Sequence, residues 1–318
     1  MSFMRISLEK TAENLKNQNN ILILTHKNPD GDTHGSAMAL CLGLRALGKN
    51  AFILPNEGTT PRFKARLMGL EAESDFAPDY IVAVDSATSE RLSLSASAYA
   101  HKVDLAIDHH ISHRDYAKVS YVDGDSAACG EIIWELLSLM QVKIDGKIAE
   151  ALYIAISTDT SCFLNANTTA RTHEIISKVL PYVPQFPALH REFFVVKTKA
   201  RLAVESILIS SINFYLSGKV AVMHLTLDDI EKAKANEDDL DNIVSLARSI
   251  DGVELGILLR ETKDGGTKAS LRSSEKFNVS DICSKFGGGG HIRAAGATLD
   301  MPIRDAESAL IKVIGDVQ

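Results

Sequence analysis

Short apolar runs alternate with longer segments of helical period in the first part of the chain. From Ile21 onward, the runs ILIL, AFIL, YIVAVD and VDLAID are separated by stretches such as GSAMALCLGLRALG, in which apolar residues recur at helical spacing. This alternation predicts a parallel sheet with crossover helices. The runs ILIL, YIVAV and LAI are apolar throughout, which is typical of strands covered on both faces.

A change of pattern marks the second part of the chain. Helical segments end at a proline-punctuated stretch, PYVPQFP, which indicates a domain edge. After a further helical segment come strand-like runs joined by a DGG turn, a hairpin signal, and later the run GGGGHIRAAGA. We predict an α/β protein with a parallel-sheet domain at residues 1–186, a helical linker at 187–217 and a smaller α/β domain at 218–318.

Composition narrows the function classes. The 318 residues carry a net charge of -7 and only 6% aromatic residues, so a broad basic surface for long duplex nucleic acid is not expected. Four scattered cysteines suggest neither a disulfide framework nor a thiolate zinc site. No apolar run approaches the roughly 18 residues of a membrane span. We therefore expect a soluble cytoplasmic protein without membrane partners.

Acidic and imidazole side chains cluster where apolar runs end. The clusters are HKNPDGD with His26, Asp30 and Asp32, VAVD with Asp85, DHH with Asp108, His109 and His110, and STD with Asp159. A stretch such as PDGD taken alone is equally compatible with a solvated turn. Because ligands bind at the carboxyl ends of strands in open α/β sheets, the repetition favours one shared site.

Bound divalent cations would explain such a site. Carboxylate and imidazole groups suit Mn, Mg, Zn or Fe, and several carboxylates buried together without cations would cost much free energy. A pair of metal ions needs one bridging carboxylate, and these residue types alone do not identify which aspartate bridges. Since paired metals activate water and neutralise phosphoryl charge, the chemistry predicted is phosphate ester hydrolysis.

The motifs HKNPDGD, VAVD, DHH and STDT, in this order, resemble those of the DHH phosphoesterase superfamily, and GGGGHIRAAG resembles the signature of its smaller DHHA1 domain. The resemblance implies a DHH domain and a DHHA1 domain with the active site in the cleft between them. It also implies two Mn²⁺ ions. One would be held by His26, Asp30 and Asp85, and the other by Asp32, Asp85, His109 and Asp159, which makes Asp85 the bridge.

The resemblance also implies roles outside the metal shell. His110 would contact the scissile phosphate and protonate the leaving oxygen, while Asp108 would orient an imidazole. His34 stands where an aliphatic residue is usual in the family, and Ser161 where glycine commonly follows STDT. Five further histidines are expected to have ordinary surface or core roles: His101, His113, His173, His190 and His224.

Substrate binding is assigned to the second domain. Gly288, Gly289, Gly290 and His291 lie in the glycine run, where amides near a helix N-terminus could bind an anion; the alternative is a flexible linker. Arg272 could make a bidentate phosphate contact, and its alternative is a solvated strand arginine.

The length and domain content resemble the nano-RNase and pAp phosphatase (NrnA-like) branch of the family. This resemblance implies hydrolysis of short oligonucleotides to 5'-mononucleotides, of 3'-phosphoadenosine 5'-phosphate (pAp), or of both. The alternatives are a cyclic-dinucleotide phosphodiesterase and a nucleotide-binding regulator without turnover. A homodimer is compatible with the sequence.

Overall fold

The computed structural model describes residues 4–240, 242–274 and 276–315. The chain divides into two compact units, Met1–Val196 and Lys197–Gln318. Each unit has its own six-stranded sheet, one parallel and one mixed, and this confirms the predicted α/β fold class.

The sheet of the first unit is parallel throughout, with strand order β1-β6-β5-β4-β2-β3. Its strands are β1 Met4–Arg5, β2 Ile21–Leu24, β3 Ala51–Ile53, β4 Tyr80–Val84, β5 Leu105–Asp108 and β6 Val119–Val122. Alternate residues of a strand point to opposite faces, and in β2 Ile21 and Ile23 join one buried cluster while Leu22 and Leu24 join another. The sheet therefore has a core on each face, as the uninterrupted apolar runs predict.

Helices pack against this sheet and carry part of the polar clusters. They are α1 Leu8–Asn17, α2 Gly31–Ala46, α3 Pro61–Leu67, α4 Cys129–Leu139, α5 Gly146–Asp159, α6 Ala170–Val179 and α7 Phe186–Phe194, with short 3₁₀ turns at Ser89–Arg91, Leu94–Ala98 and Leu180–Tyr182. Helix α2 begins four residues before the position expected from the sequence. The carboxylate of Asp30 accepts the backbone N–H of Thr33 and so caps the helix at that point.

Small residues allow α2, α4 and α5 to approach closely. A Cβ atom added at Gly35 of α2 would lie 2.5 Å from the carbonyl oxygen of Ala151 and 2.7 Å from the nitrogen of Ala155, both on α5. A Cβ atom at Gly130 of α4 would lie 2.6 Å from the Cβ of Ala155. Since α2 carries Asp32 and α5 ends at Asp159, this contact fixes the separation of the two carboxylates.

Gly35→Ala is expected to destabilise the first unit. The added methyl would overlap backbone atoms of α5, which cannot move aside as a flexible side chain does, so the free energy of unfolding should fall by about 2–3 kcal/mol. Calorimetry against the wild type would measure this change. Gly315→Ala adds the same methyl where no heavy atom lies within 4 Å and serves as the control. An unchanged unfolding temperature for Gly35→Ala would refute the close packing of α2 on α5.

The second unit has a mixed sheet of order β11-β12-β10-β9-β8-β7, in which only the pair β8 and β9 is parallel. Its elements are α8 Lys199–Ser210, β7 Asn213–Tyr215, β8 Val220–Leu225, α9 Leu227–Ala233, α10 Glu237–Leu240, α11 Ser245–Arg248, β9 Leu255–Glu261, β10 Thr267–Ser273, α12 Val279–Ser284, β11 Gly289–His291, β12 Ala294–Leu299 and α13 Ile303–Gly315. The DGG segment forms the β9–β10 hairpin turn, closed by a hydrogen bond from Thr262 N to Gly266 O.

Residues 187–217, the predicted linker, are divided between the units. Helix α7 falls entirely in the first unit, whereas α8 belongs to the second and buries Val204 and Leu208 against Ala221 and Met223 of β8. None of the helices in the described ranges has the length and apolar character needed to cross a membrane.

Candidate metal centre

The carboxyl-terminal edge of the parallel sheet delivers three of the predicted clusters to one place. His26 lies just beyond the end of β2, and Asp85 directly follows β4. Asp108 is the last residue of β5, and His109 and His110 come immediately after it. Neighbouring parallel strands end on the same side, so these side chains are brought together as the strand pattern predicts.

Helix ends supply the remaining carboxylates. Asp30 caps α2, Asp32 lies in its first turn, and Asp159 is the last residue of α5. Asp32 is held firmly, because its two oxygens accept the backbone N–H groups of Cys129 at 2.6 Å and Gly130 at 2.9 Å, at the N-terminus of α4. These bonds fix where the Asp32 carboxylate points.

Three overlapping groups of ligand-type atoms result, each with its atoms within 4.8 Å of one another. They are His26, Asp30 and Asp85; Asp85, His109 and His110; and Asp32, His109 and Asp159. All six residues predicted as metal ligands belong to at least one group. The first group is one of the two predicted ligand sets, and the third contains three of the four members of the other.

Asp85 joins two of these groups through different oxygens. Its Oδ2 lies 3.7 Å from Nε2 of His26, while its Oδ1 lies 3.5 Å from Nε2 of His109 and 3.6 Å from Nδ1 of His110. The backbone φ of Asp85 is +53°, in the left-handed region that costs most residues energy and that aspartate tolerates better than most. The strand therefore ends in a conformation that directs the carboxylate between the groups.

The charge balance of the centre fits bound cations. Asp32 and Asp85 are 1% and 2% exposed, and their ion-pair partners among the described residues are histidines. Burial raises the pKa of Asp32 well above its usual range, with repulsion from Asp85 adding to the rise, and burial raises the pKa of Asp159 to about 6. Burial alone would lower the pKa of His109, but the surrounding carboxylates raise it well above normal. Divalent cations would relieve this repulsion, and the donor set is one that they bind.

Asp108 binds imidazoles instead of joining the three groups. Its Oδ1 accepts the backbone N–H of His109 at 2.9 Å and Nδ1 of His110 at 2.7 Å, and its Oδ2 lies 2.6 Å from Nδ1 of His113. Burial would raise the pKa of Asp108, but the hydrogen bonds from His110 and His113 outweigh it and hold the pKa below its usual range. A charged Asp108 therefore orients two rings.

Three contributors to the centre were missed by sequence reasoning. The hydroxyl of Thr33 lies 2.6 Å from Nε2 of His26 and 2.5 Å from Oδ2 of Asp85. Nδ2 of Asn167 donates to the carbonyl oxygen of Ala127 and also lies 3.4 Å from Oδ2 of Asp159. The third is His113, which was expected to have an ordinary role. Thr33 directly follows the PDGD motif, so its contribution to the centre could have been predicted. Nothing in the local sequence around Asn167 or His113 indicates theirs.

Comparisons with known proteins identify two family domains in the chain, one within each compact unit. The DHH family, N-terminal domain, matches residues 20–156, and the DHHA1 domain matches residues 217–317. The bifunctional oligoribonuclease and PAP phosphatase NrnA of Thermus thermophilus is 32% identical over 286 residues, which cover 88% of this chain and 84% of that protein. The chain belongs to the DHH/DHHA1 phosphoesterase family. It is accordingly a hydrolase of the DHH phosphoesterase class.

Two further proteins are similar to the chain along most of its length. The bifunctional oligoribonuclease and PAP phosphatase NrnA of Bacillus subtilis is 24% identical over 284 residues, covering 88% of this chain and 89% of that protein. An exopolyphosphatase-related protein from Bacteroides fragilis has the same fold, with a TM-score of 0.86 at 22% identity, covering 97% of this chain and 95% of that one.

His34 and Ser161 are the two positions at which the sequence was expected to differ from the family's motifs. His34 is 1% exposed and stacks on Phe63 with ring centroids 4.4 Å apart, and neither of its ring nitrogens has a hydrogen-bond partner. Burial lowers its pKa to about 3, so the ring is neutral near pH 7. Ser161 has a left-handed φ of +49°, which explains why glycine suits this position. Neither residue belongs to the three ligand groups.

The glycine run of the DHHA1 domain lies in a hairpin, so the expected helix N-terminus is wrong. Helix α12 ends before the run, and β11 pairs with β12. A Cβ atom at Gly288 would lie 2.3 Å from the carbonyl oxygen of Gly296, and one at Gly290 would lie 2.5 Å from that of Ala294. Strand packing therefore requires those two glycines, whereas no heavy atom lies within 4 Å of a Cβ at Gly289.

The two side chains assigned to substrate lie on neighbouring parts of this sheet. Arg272 on β10 and His291 on β11 both pair with Ala294 of β12, on opposite sides of it. His291 is exposed, while Arg272 is partly buried and donates from Nη1 to the carbonyl oxygen of Leu271. Arg272 and His291 therefore lie on the two strands that flank β12 in the same sheet.

Proposed function

We propose that this DHH/DHHA1 phosphoesterase uses two divalent cations, with Mn²⁺ as the favoured ion, to hydrolyse short oligonucleotides to 5'-mononucleotides and pAp to its dephosphorylated product. The observation that carries the proposal is the pair of ligand groups connected through the two oxygens of Asp85. The substrate classes are those in the names of the Thermus and Bacillus relatives.

We assign the ligands from these groups. His26, Asp30 and Asp85 would hold one ion, and Asp32, Asp85, His109 and Asp159 the other. When bound, such ions supply hydroxide near neutral pH and neutralise charge that develops on the phosphoryl group. The chain's part is to fix the donors. In His109, for example, Nδ1 lies 3.2 Å from the carbonyl oxygen of Ser126, a contact that favours a proton on Nδ1 and would leave Nε2 to bind the metal.

His110 is the proposed proton donor to the leaving oxygen. Its Nδ1 is 2.7 Å from Oδ1 of the charged Asp108, which favours a proton on Nδ1. In the doubly protonated ring, the proton on Nε2 is then the one that would pass to the leaving oxygen, and the ring would be left neutral with its proton on Nδ1. Asp108 thus controls which ring nitrogen meets the scissile bond. We further assign binding of the substrate's phosphate groups to Arg272, Gly288, Gly289, Gly290 and His291. Guanidinium and imidazole groups bind anions, and glycines let a phosphate approach the backbone closely. The N–H of Gly288 itself donates to the carbonyl oxygen of Cys283 at 2.9 Å, so this glycine would contribute space and not its amide.

A substrate panel tests the proposal. Purified protein with Mn²⁺ or Mg²⁺ is offered a diribonucleotide, pAp, a cyclic dinucleotide, its linear form and a long single strand, and released mononucleotide and phosphate are measured separately. We expect turnover of the diribonucleotide and pAp, lost on chelation of the metal. Turnover of the cyclic dinucleotide alone would replace the proposal with that activity. Tight binding without any product under saturating Mn²⁺ would indicate a regulator.

A further inference from the structure

His113 is buried next to the proposed catalytic histidine but contacts it only through another residue. The side chains of His113 and Asp108 are both fully buried, and Nδ1 of His113 lies 2.6 Å from Oδ2 of Asp108. The opposite oxygen, Oδ1, accepts Nδ1 of His110 at 2.7 Å. One carboxylate therefore joins two imidazoles, one through each oxygen.

The local backbone is arranged to make this contact. The N–H of His113 donates to the carbonyl oxygen of His110 at 3.0 Å, and this turn brings the ring back onto Asp108. The next residue, Arg114, donates its N–H to the carbonyl oxygen of Ala87 at 2.8 Å, which ties the turn to the segment that follows Asp85. These two hydrogen bonds fix the main chain at His113 and Arg114, and so the position from which the His113 ring extends.

The other nitrogen of the ring has no comparable contact. Nε2 of His113 is buried without a hydrogen-bond partner, and the nearest carboxylate oxygen, Oδ1 of Asp115, is 3.9 Å away. A buried polar atom left unpaired costs about 1–3 kcal/mol. An apolar residue would avoid this cost, so packing alone does not account for an imidazole here. Among the described residues, His113 is the hydrogen-bond donor to Oδ2 of Asp108.

We propose that His113 is a positioning residue, which fixes the Asp108 carboxylate and through it the tautomer and orientation of His110. Without a donor on Oδ2, the carboxylate would be held through Oδ1 alone, by the backbone N–H groups of His109 and His110 and by the His110 ring. Its plane would then be less firmly fixed, and Oδ1 would be less well aligned with Nδ1 of His110. The Nδ1–H of His110 would then lose its fixed acceptor, and the ring would no longer be held with its Nε2–H toward the substrate. Once neutral, the ring would divide its time between the two tautomers. The inference rests on the proposed function, since His110 is the proton donor there.

Three substitutions separate the donor from the packing. His113→Asn places an amide N–H near the position of Nδ1, His113→Gln places it near that of Nε2, and His113→Leu fills the space without a donor. We expect kcat to fall about 10- to 100-fold in the Leu and Gln variants with KM nearly unchanged, and to stay within about threefold of wild type in the Asn variant. A packing role would give the opposite order, with Leu the best substitute.

A second readout does not depend on turnover. In metal-free protein labelled with ¹⁵N-histidine, at a pH high enough for His110 to be neutral, His110 should show a single Nδ1–H tautomer in the wild type and in His113→Asn. In His113→Leu and His113→Gln, its nitrogen shifts should move toward a mixture. If His113→Leu does not fold, comparing His113→Asn with His113→Gln still tests the inference, because both side chains are polar amides and differ in where the N–H lies. An unchanged His110 tautomer in all variants would overturn the inference. A wild type inactive on the whole panel would instead refute the proposed function, and the tautomer result would still stand.

Discussion

Asp85→Asn is expected to lower kcat on a diribonucleotide by about 10³-fold, because the metal pair would lose the carboxylate proposed to bridge it. Metal ions stabilise a phosphoryl transition state by several kcal/mol, and about 4 kcal/mol corresponds to a factor of 10³. Asparagine is the informative replacement, since it keeps the side-chain shape and tolerates the left-handed backbone at φ +53°. Initial rates across a range of Mn²⁺ concentrations would measure the change.

Metal binding gives the independent check on Asp85. Titration calorimetry of wild type should give two Mn²⁺ sites, and saturating metal should raise the unfolding temperature, since a ligand at 100 times its Kd stabilises by about 2.7 kcal/mol. In Asp85→Asn the number of tight sites and the temperature rise should both shrink. Asp79→Asn, at an exposed residue directly before β4, is the matched control and should retain both. Two intact sites in Asp85→Asn would rule out Asp85 as the bridge.

The strands of the first sheet could be predicted because their signal is local. ILIL, YIVAV and LAI are apolar at every position, and a strand with a core on each face needs no other information to be identified. The pairing of Met4–Arg5 with β6 was not predictable in this way, because it is short, exposed and made with residues more than a hundred positions away. The glycine run gave a wrong expectation for a related reason. Glycines have no side-chain periodicity, and pairing with Ala294–Leu299 decides their conformation.

The same reasoning explains which parts of the metal centre the sequence reveals. Asp85, Asp108 and His109 stand at strand ends, so their convergence follows from the parallel topology alone. Asn167 and His113 reach the centre through hydrogen bonds that form only when distant segments come together, and a lone polar residue in a loop has no spacing to identify it. Chemistry that depends on strand position can therefore be predicted, whereas the residues that orient it emerge from the three-dimensional structure.

Asp108→Asn is expected to lower kcat by about 10²- to 10³-fold while both metal ions still bind. An amide has only one oxygen. In Asp108→Asn, that oxygen can accept the Nδ1–H of His110 or the Nδ1–H of His113, and the amide nitrogen, which only donates, then faces the other ring. His110 then loses its fixed tautomer, an effect that costs about 10⁴-fold when the orienting aspartate of a Ser-His-Asp triad becomes asparagine. The loss should be smaller here because metal ions would carry much of the charge stabilisation. Rates and Mn²⁺ titration on the same samples would measure both effects.

A double variant of Asp108 and His113 tests whether both residues influence the reaction through His110. Asp108 and His113 would influence the reaction through the same imidazole, so the double variant Asp108→Asn with His113→Leu should be about as slow as Asp108→Asn alone. Asp125→Asn, an exposed aspartate on the loop after β6, is the control and should keep wild-type kcat. Multiplicative losses in the double variant would mean that the two residues act independently. Loss of a metal ion from Asp108→Asn would instead place Asp108 among the ligands, because a residue that only orients His110 leaves the three ligand groups intact.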